Sequence, residues 1–152
     1  MDSTEFSGIL VTPLKRIFGD KGDIYHAMKQ GAPGFEGFGE AYFSTVKQGL
    51  VKGWRKHSLM VLNLIVPMGS IRFVLKDDRH PKHREGNFRE IILGTDNYAR
   101  LTVPPGVWMA FQGLESETNL LLNIASIKHD PHEAETLDLN NIPYPWTKSC
   151  ES

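Results

Sequence analysis

The strongest constraint in this sequence is a two-residue rhythm. Ile71, Phe73 and Leu75 alternate with Ser70, Arg72 and Lys76. Ala99, Leu101 and Val103 alternate with Tyr98, Arg100 and Thr102. Val107–Gln112 and Leu120–Ala125 continue the pattern, and Leu59–Val66 is almost wholly apolar. Successive side chains point to opposite faces of a strand, so these runs predict strands resting on a core. Helical periodicity is scarce. Turn formers separate the runs. Pro104-Pro105-Gly106 cannot continue a central strand, because proline lacks the backbone donor and glycine permits positive φ. Asp20-Lys21-Gly22-Asp23 is a second turn. Asp77–Asn87 is polar and carries Pro81, His80 and His83, which predicts an exposed loop. Residues 30–39 hold four glycines and one proline and are predicted irregular. The one helical turn expected lies at Asp130–Thr136, with Asp130 as cap and Pro131 in the first helical position. Short strands between turns predict an all-β sandwich or barrel.

The chain of 152 residues fits one domain, 1–152, large enough to bury a core without staples. A formal net charge of −1 gives no footprint for nucleic acid or an anionic membrane. The one cysteine, Cys150, leaves no internal disulfide, which suits the cytoplasm. Met1–Glu5 is polar and acidic, so no secretory leader is expected. The apolar run Leu59–Met68, broken by Asn63, is too short to span a bilayer.

Three clusters could carry chemistry. In Lys52-Gly53-Trp54-Arg55-Lys56-His57, regular alternation puts Gly53, Arg55 and His57 on one face and Lys52, Trp54 and Lys56 on the other. One reading is a solvated basic edge strand. The other is an interior face that meets an anionic or carbonyl-bearing ligand, with a base beside it. In Pro104–Phe111, Met109 stands where a P-x-G-x-x-H pattern would place a metal-binding histidine, as in many cupin barrels. No H-x-H pair occurs, since His57 is followed by Ser58 and Leu59. The other histidines, at 26, 80, 83, 129 and 132, suggest no ligand trio. Neither a metal nor an organic cofactor is expected. In Lys128-His129-Asp130-Pro131-His132-Glu133, a titratable histidine sits among acids. Asp130 and Glu133 also read as a helix cap and capping box, and the two readings are compatible. Trp54, Trp108 and Trp146 read as packing residues, although a tryptophan beside a nucleotide pocket could stack on a base.

The order of these motifs resembles the dTDP-4-dehydrorhamnose 3,5-epimerase family from about Gly8 to Trp146. Gly8–Pro13 and Phe18–Gly22 resemble the family's opening strand and D-x-R-G turn. Gly49–Gly53 leads to the segment similar to R-G-L-H, and Gly69 to Asp77 and Arg79 keeps the family spacing. Pro104–Gly106 with Phe111 resembles P-P-G-x-x-H-x-F. Pro131–Glu135 and Ile142–Trp146 resemble P-x-x-E and I-x-W-P. The resemblance implies a cupin-type double-stranded β-helix, or jelly-roll barrel. It implies a metal-free epimerase or isomerase acting on a 4-keto-6-deoxy sugar nucleotide in polysaccharide precursor synthesis. A histidine would remove the proton beside the ketone, an acid would orient it, and a second group would return a proton. Carried over to this chain, those roles imply His57 as base, His129 as proton donor and Asp138 as the acid. Lys21 and Lys52 replace arginines toward the pyrophosphate, and Arg55 takes the position of the family's histidine. Asn63, Arg72, Trp108 and Asn123 complete the implied substrate contacts. A homodimer is implied as well, with a strand like Gly8–Val11 crossing to the partner sheet. The alternatives are a 3,4-ketoisomerase and a non-catalytic sugar-nucleotide-binding cupin.

Overall fold

A computed structural model describes residues 6–79 and 88–146. The first strands are β1 (Leu10–Pro13), β2 (Arg16–Ile17), β3 (Ile24–Tyr25), β4 (Glu40–Thr45), β5 (Val51–His57) and β6 (Leu62–Met68). They are followed by β7 (Ser70–Asp77), β8 (Phe88–Gly94), β9 (Ala99–Val103), β10 (Val107–Gly113), β11 (Leu120–Ala125) and β12 (Ala134–Thr136). One sheet runs β1-β9-β6-β11-β4 and the other β12-β5-β10-β7-β8, while β2 and β3 form a separate ribbon. Every pairing between these strands is antiparallel. The all-β sandwich that the alternation predicted is therefore present, in the jelly-roll form that the resemblance implied.

The core lies between the two five-stranded sheets. Leu64 and Leu101 of the first sheet meet Ile71, Phe73, Leu75 and Leu93 of the second, all at 0% exposure. The residues that alternation assigned to one face of β7 and β9 are the ones in this core. Each outer face is partly covered too. Leu14, Ala27 and Met28 lie over Ile65, Tyr98 and Ile124 on the first sheet. Ile142, Tyr144 and Trp146 lie over Trp54, Val74 and Trp108 on the second. Trp54 Nε1 donates to the Ile142 carbonyl at 3.1 Å, and the Trp54 and Leu137 backbones exchange hydrogen bonds of 3.1 and 3.0 Å. The Tyr144 hydroxyl donates to Glu90 Oε2 at 2.6 Å, and burial with that carboxylate pushes its pKa up to about 12.

Asp77, at the end of β7, is 1% exposed and bonded to Arg79 at 2.7–2.8 Å. It also accepts the Phe6 N–H at 2.6 Å. Burial raises the Asp77 carboxyl, but the Arg79 guanidinium and the Arg79 and Phe6 amides outweigh it and hold the pKa below the usual range.

Two expectations are corrected. Asp130–Thr136 is a turn that runs into β12, and the short 3-10 helix lies at Leu139–Asn141. The reason is that β12 pairs with the edge of β5, Ala134 opposite His57, which demands extended backbone. The loop expected at Asp77–Asn87 begins on the buried Asp77, and residues 80–87, with His80 and His83, lie outside the described residues, as does Cys150. β1 pairs with β9 of its own chain, Leu10 opposite Thr102. Among the described residues no helix is long and apolar enough to cross a membrane.

Candidate active site

The pocket depends on an irregularity in β5. Arg55 stands opposite Met109 on β10, and Lys52 stands opposite Phe111. Three steps along β5 thus match two along β10, which is a β-bulge at Gly53 and Trp54. The extra residue resets the alternation. Lys52 joins Arg55 and His57 on the pocket side, while the Trp54 ring is fully buried in the outer cluster. This corrects the regular alternation, which put Lys52 on the opposite face. Gly53 suits the bulge because its φ is +148° and an added Cβ would collide with the Ala110 side chain.

Lys52, Arg55 and His57 line a cavity of about 310 Å³ between the sheets. Leu62, Met109 and Phe111 supply its apolar wall, and Tyr42, Ser44, Asn123 and Thr136 add polar groups. Tyr42 on β4 is paired with Asn123 on β11, so both point the same way. Asn123 Nδ2 donates to Ser44 Oγ at 3.3 Å. Lys52 Nζ, at the exposed side, donates to the Thr45 carbonyl at 2.6 Å.

The His57 ring is fixed by a buried acid. Its Nδ1 lies 2.7 Å from Glu133 Oε1, with Glu133 5% exposed. Glu133 Oε2 accepts the Leu59 and Met60 amides at 2.9 and 2.7 Å. The Glu133 carbonyl accepts the Ser58 amide and hydroxyl, both at 2.9 Å. Burial alone would raise the Glu133 pKa, but the His57 hydrogen bond and the two amides hold it below the usual carboxylate range. An ionised Glu133 can only accept, so Nδ1 carries the hydrogen and a neutral His57 presents a basic Nε2.

The structure gathers His57, Lys52, Arg55 and Asn123 in one cavity and places the other candidates elsewhere. His129 is exposed, and its backbone faces Glu40. Asp138 caps the 3-10 helix in exposed chain, and the acid that meets His57 is Glu133. Lys21 is exposed in the β2–β3 turn. Asn63 points to the outer face, where it donates to the Gly34 carbonyl at 2.9 Å and accepts from Thr102 Oγ1 at 2.5 Å. Arg72 bonds Gln112 at 2.8 Å, with Glu90 at 3.4 Å. Trp108 packs in the outer cluster under Lys56, 4.9 Å from the ring centroid. Sequence reasoning missed Tyr42 and Ser44, whose shared face on β4 was readable as alternation, and it took Glu133 for a helix-capping residue. Among the described residues, no three His, Cys, Asp or Glu side chains gather as metal ligands.

No protein-family profile matches the chain. A dTDP sugar isomerase from Desulfovibrio desulfuricans G20 shares 35% identity and superposes with a TM-score of 0.86, over 93% of this chain and 92% of that one. A dTDP-4-dehydrorhamnose 3,5-epimerase from Sulfolobus tokodaii shares 19% identity, with a TM-score of 0.77 over 93% and 84% of the two chains. A sugar 3,4-ketoisomerase from Thermoanaerobacterium thermosaccharolyticum, in complex with TDP, shares 22%, with a TM-score of 0.69 over 85% and 88%. At these lower identities the likeness is one of fold. In sequence, the spore coat polysaccharide biosynthesis protein SpsL of Bacillus subtilis (strain 168) is 23% identical over 137 residues, 90% of this chain and 89% of that protein.

Proposed function

Because this chain belongs to the family of the dTDP-sugar isomerases and 3,5-epimerases, we propose that it is an epimerase or isomerase of a 4-keto-6-deoxy dTDP-sugar. The product would be a precursor for polysaccharide, the kind of synthesis in which the similar Bacillus protein is named. The observation that carries this reading is the His57–Glu133 pair beside Arg55 and Lys52 in one cavity.

The chemistry follows from these groups. His57 Nε2 removes the proton on the carbon next to the ketone. The electrons of that C–H bond move onto the ketone oxygen and form an enolate. Glu133 holds the ring in the needed tautomer and stabilises the imidazolium that results. The Arg55 guanidinium offsets the charge on the enolate oxygen. Lys52 at the open side meets the pyrophosphate as a point charge. With His129 outside the lining, Tyr42 takes the role of returning a proton to the opposite face of the carbon.

A 3,4-ketoisomerase is the second reading. It is favoured by the presence of a single histidine among the described residues of the lining. One base can take the C3 proton and deliver it to C4 through an enediol. The deciding experiment is incubation with a panel of 4-keto-6-deoxy sugar nucleotides in deuterated water, followed by NMR. Deuterium at C3 or C5 with the ketone still at C4 establishes an epimerase. A ketone at C3 establishes the isomerase. Nucleotide binding without exchange or turnover leaves a binding module and defeats the proposal.

The proposal extends to a single-domain homodimer in the cytoplasm. Phe18, Phe38 and Phe43 are 68%, 65% and 62% exposed, which is apolar surface that a second copy would cover.

A further inference from the structure

Arg100 has little reason to be where it is if it serves only the barrel. It lies on β9, on the outer side of the first sheet, and is 2% exposed. Its Nη1 and Nη2 donate to the Ala27 and Pro33 carbonyls at 2.8 and 2.6 Å. Its Nε has no hydrogen-bond partner among the described residues, and none of the ion pairs found there includes it. A buried cation is costly unless an anion compensates it, and two neutral carbonyls do so only in part.

Arg100 also lines a cavity of about 260 Å³. The exposed side chains of Lys15, His26 and Lys29 stand around it, and among the described residues no aspartate or glutamate lines it. In a chain whose formal charge is −1, that is a local concentration of positive charge. The wall between these groups is apolar, formed by Leu14, Met28 and Pro33. This cavity shares no lining residue with the one that holds His57.

We propose that the Arg100 cavity is a second binding site, for a small phosphomonoester of about sugar-phosphate size. A dianionic phosphate answers a buried guanidinium and two lysines better than a carboxylate does, since it brings twice the charge. The space exceeds a bare phosphate, and the apolar wall suits a ring attached to it. Binding there would tie residues 26–33 to β9, because the Ala27 and Pro33 carbonyls already hold the same guanidinium.

The test is a ¹H–¹⁵N NMR titration of the whole chain at constant ionic strength. The probes are inorganic phosphate, glucose 1-phosphate, glucose and acetate. The expected result is saturable shifts confined to residues 12–15, 26–32 and 100, with glucose 1-phosphate binding tighter than phosphate. Lys15→Ala/Lys29→Ala, on exposed positions that leave the fold intact, weakens that affinity tenfold or more. Lys52→Ala, in the other cavity, leaves it unchanged. The proposal is overturned by shifts that do not saturate, by shifts confined to β5, by equal affinity in the double variant, or by acetate matching phosphate.

Discussion

Glu133 Oε1 stands 2.7 Å from His57 Nδ1 although 76 residues separate them along the chain. The contact exists because β12 pairs with the outer edge of β5 and the preceding turn folds Glu133 back under Ser58, Leu59 and Met60. Glu133→Gln should keep much of this hydrogen bonding but lose the charge that fixes the tautomer and steadies the imidazolium. The rate of solvent exchange at the carbon beside the ketone should fall by about 10²-fold or more, mainly in kcat. An unchanged kcat would remove Glu133 from the mechanism.

The base and the phosphate holder should separate in binding and turnover. His57→Asn should abolish exchange and leave dTDP affinity within a few-fold, as read by calorimetry. Lys52→Ala should weaken dTDP binding by about tenfold, roughly 1.4 kcal/mol, with a smaller effect on turnover of bound substrate. If both variants lose affinity equally, the division of roles is wrong.

Asp77 and Arg79 make stability depend on pH in a defined direction. The folded Asp77 carboxyl titrates below its unfolded value, so its contribution is present above the unfolded pKa of about 3.9. It is lost as the pH falls through the lower folded value. The Glu133 carboxyl behaves in the same way. Arg79→Met leaves Asp77 buried without its guanidinium and should cost about 3 kcal/mol at neutral pH in urea unfolding. Burial then dominates and raises the Asp77 pKa, so the deficit should shrink in acid as the carboxyl is protonated. A deficit that is constant from pH 7 to pH 4 would contradict this account.

Much of the barrel was legible because β7 and β9 keep an uninterrupted alternation, and its apolar members are the core. The site was only half legible. His57 and Arg55 could be found by counting in twos. Lys52 could not, because the Gly53–Trp54 bulge changes the count, and a bulge depends on the partner strand. Glu133 was hidden for another reason. Its neighbours in sequence, Asp130 and Pro131, have the chemistry of a helix start, and only the long-range pairing of β12 with β5 overrides that local preference. Asn63 and Trp108 were misplaced because both outer faces are covered where these two residues lie, so burial does not distinguish inside from outside.

The bulge offers its own test. Gly53→Ala meets both a positive φ and the Ala110 side chain, and should cost about 1–3 kcal/mol. Activity should fall further than stability explains, since Lys52 and Arg55 flank the shifted residue. A variant with wild-type melting temperature and turnover would show that the bulge is not needed.

Light scattering at micromolar concentration should give twice the chain mass, and Phe38→Asp/Phe43→Asp should return it to the monomer. A monomer in the unaltered protein would refute the dimer.

All three tryptophans of the chain belong to the cluster behind the second sheet: Trp54 and Trp108 are buried there, and Trp146 packs against them. Trp54 and Trp146 have their ring centroids 6.1 Å apart. Intrinsic fluorescence of this protein therefore does not survey the molecule evenly. It watches residues 137–146 settle on the back of β5, on the reverse side of the strand that carries His57. A fluorescence melt that ran ahead of the circular-dichroism melt would record the tail lifting away while the sheets were still paired.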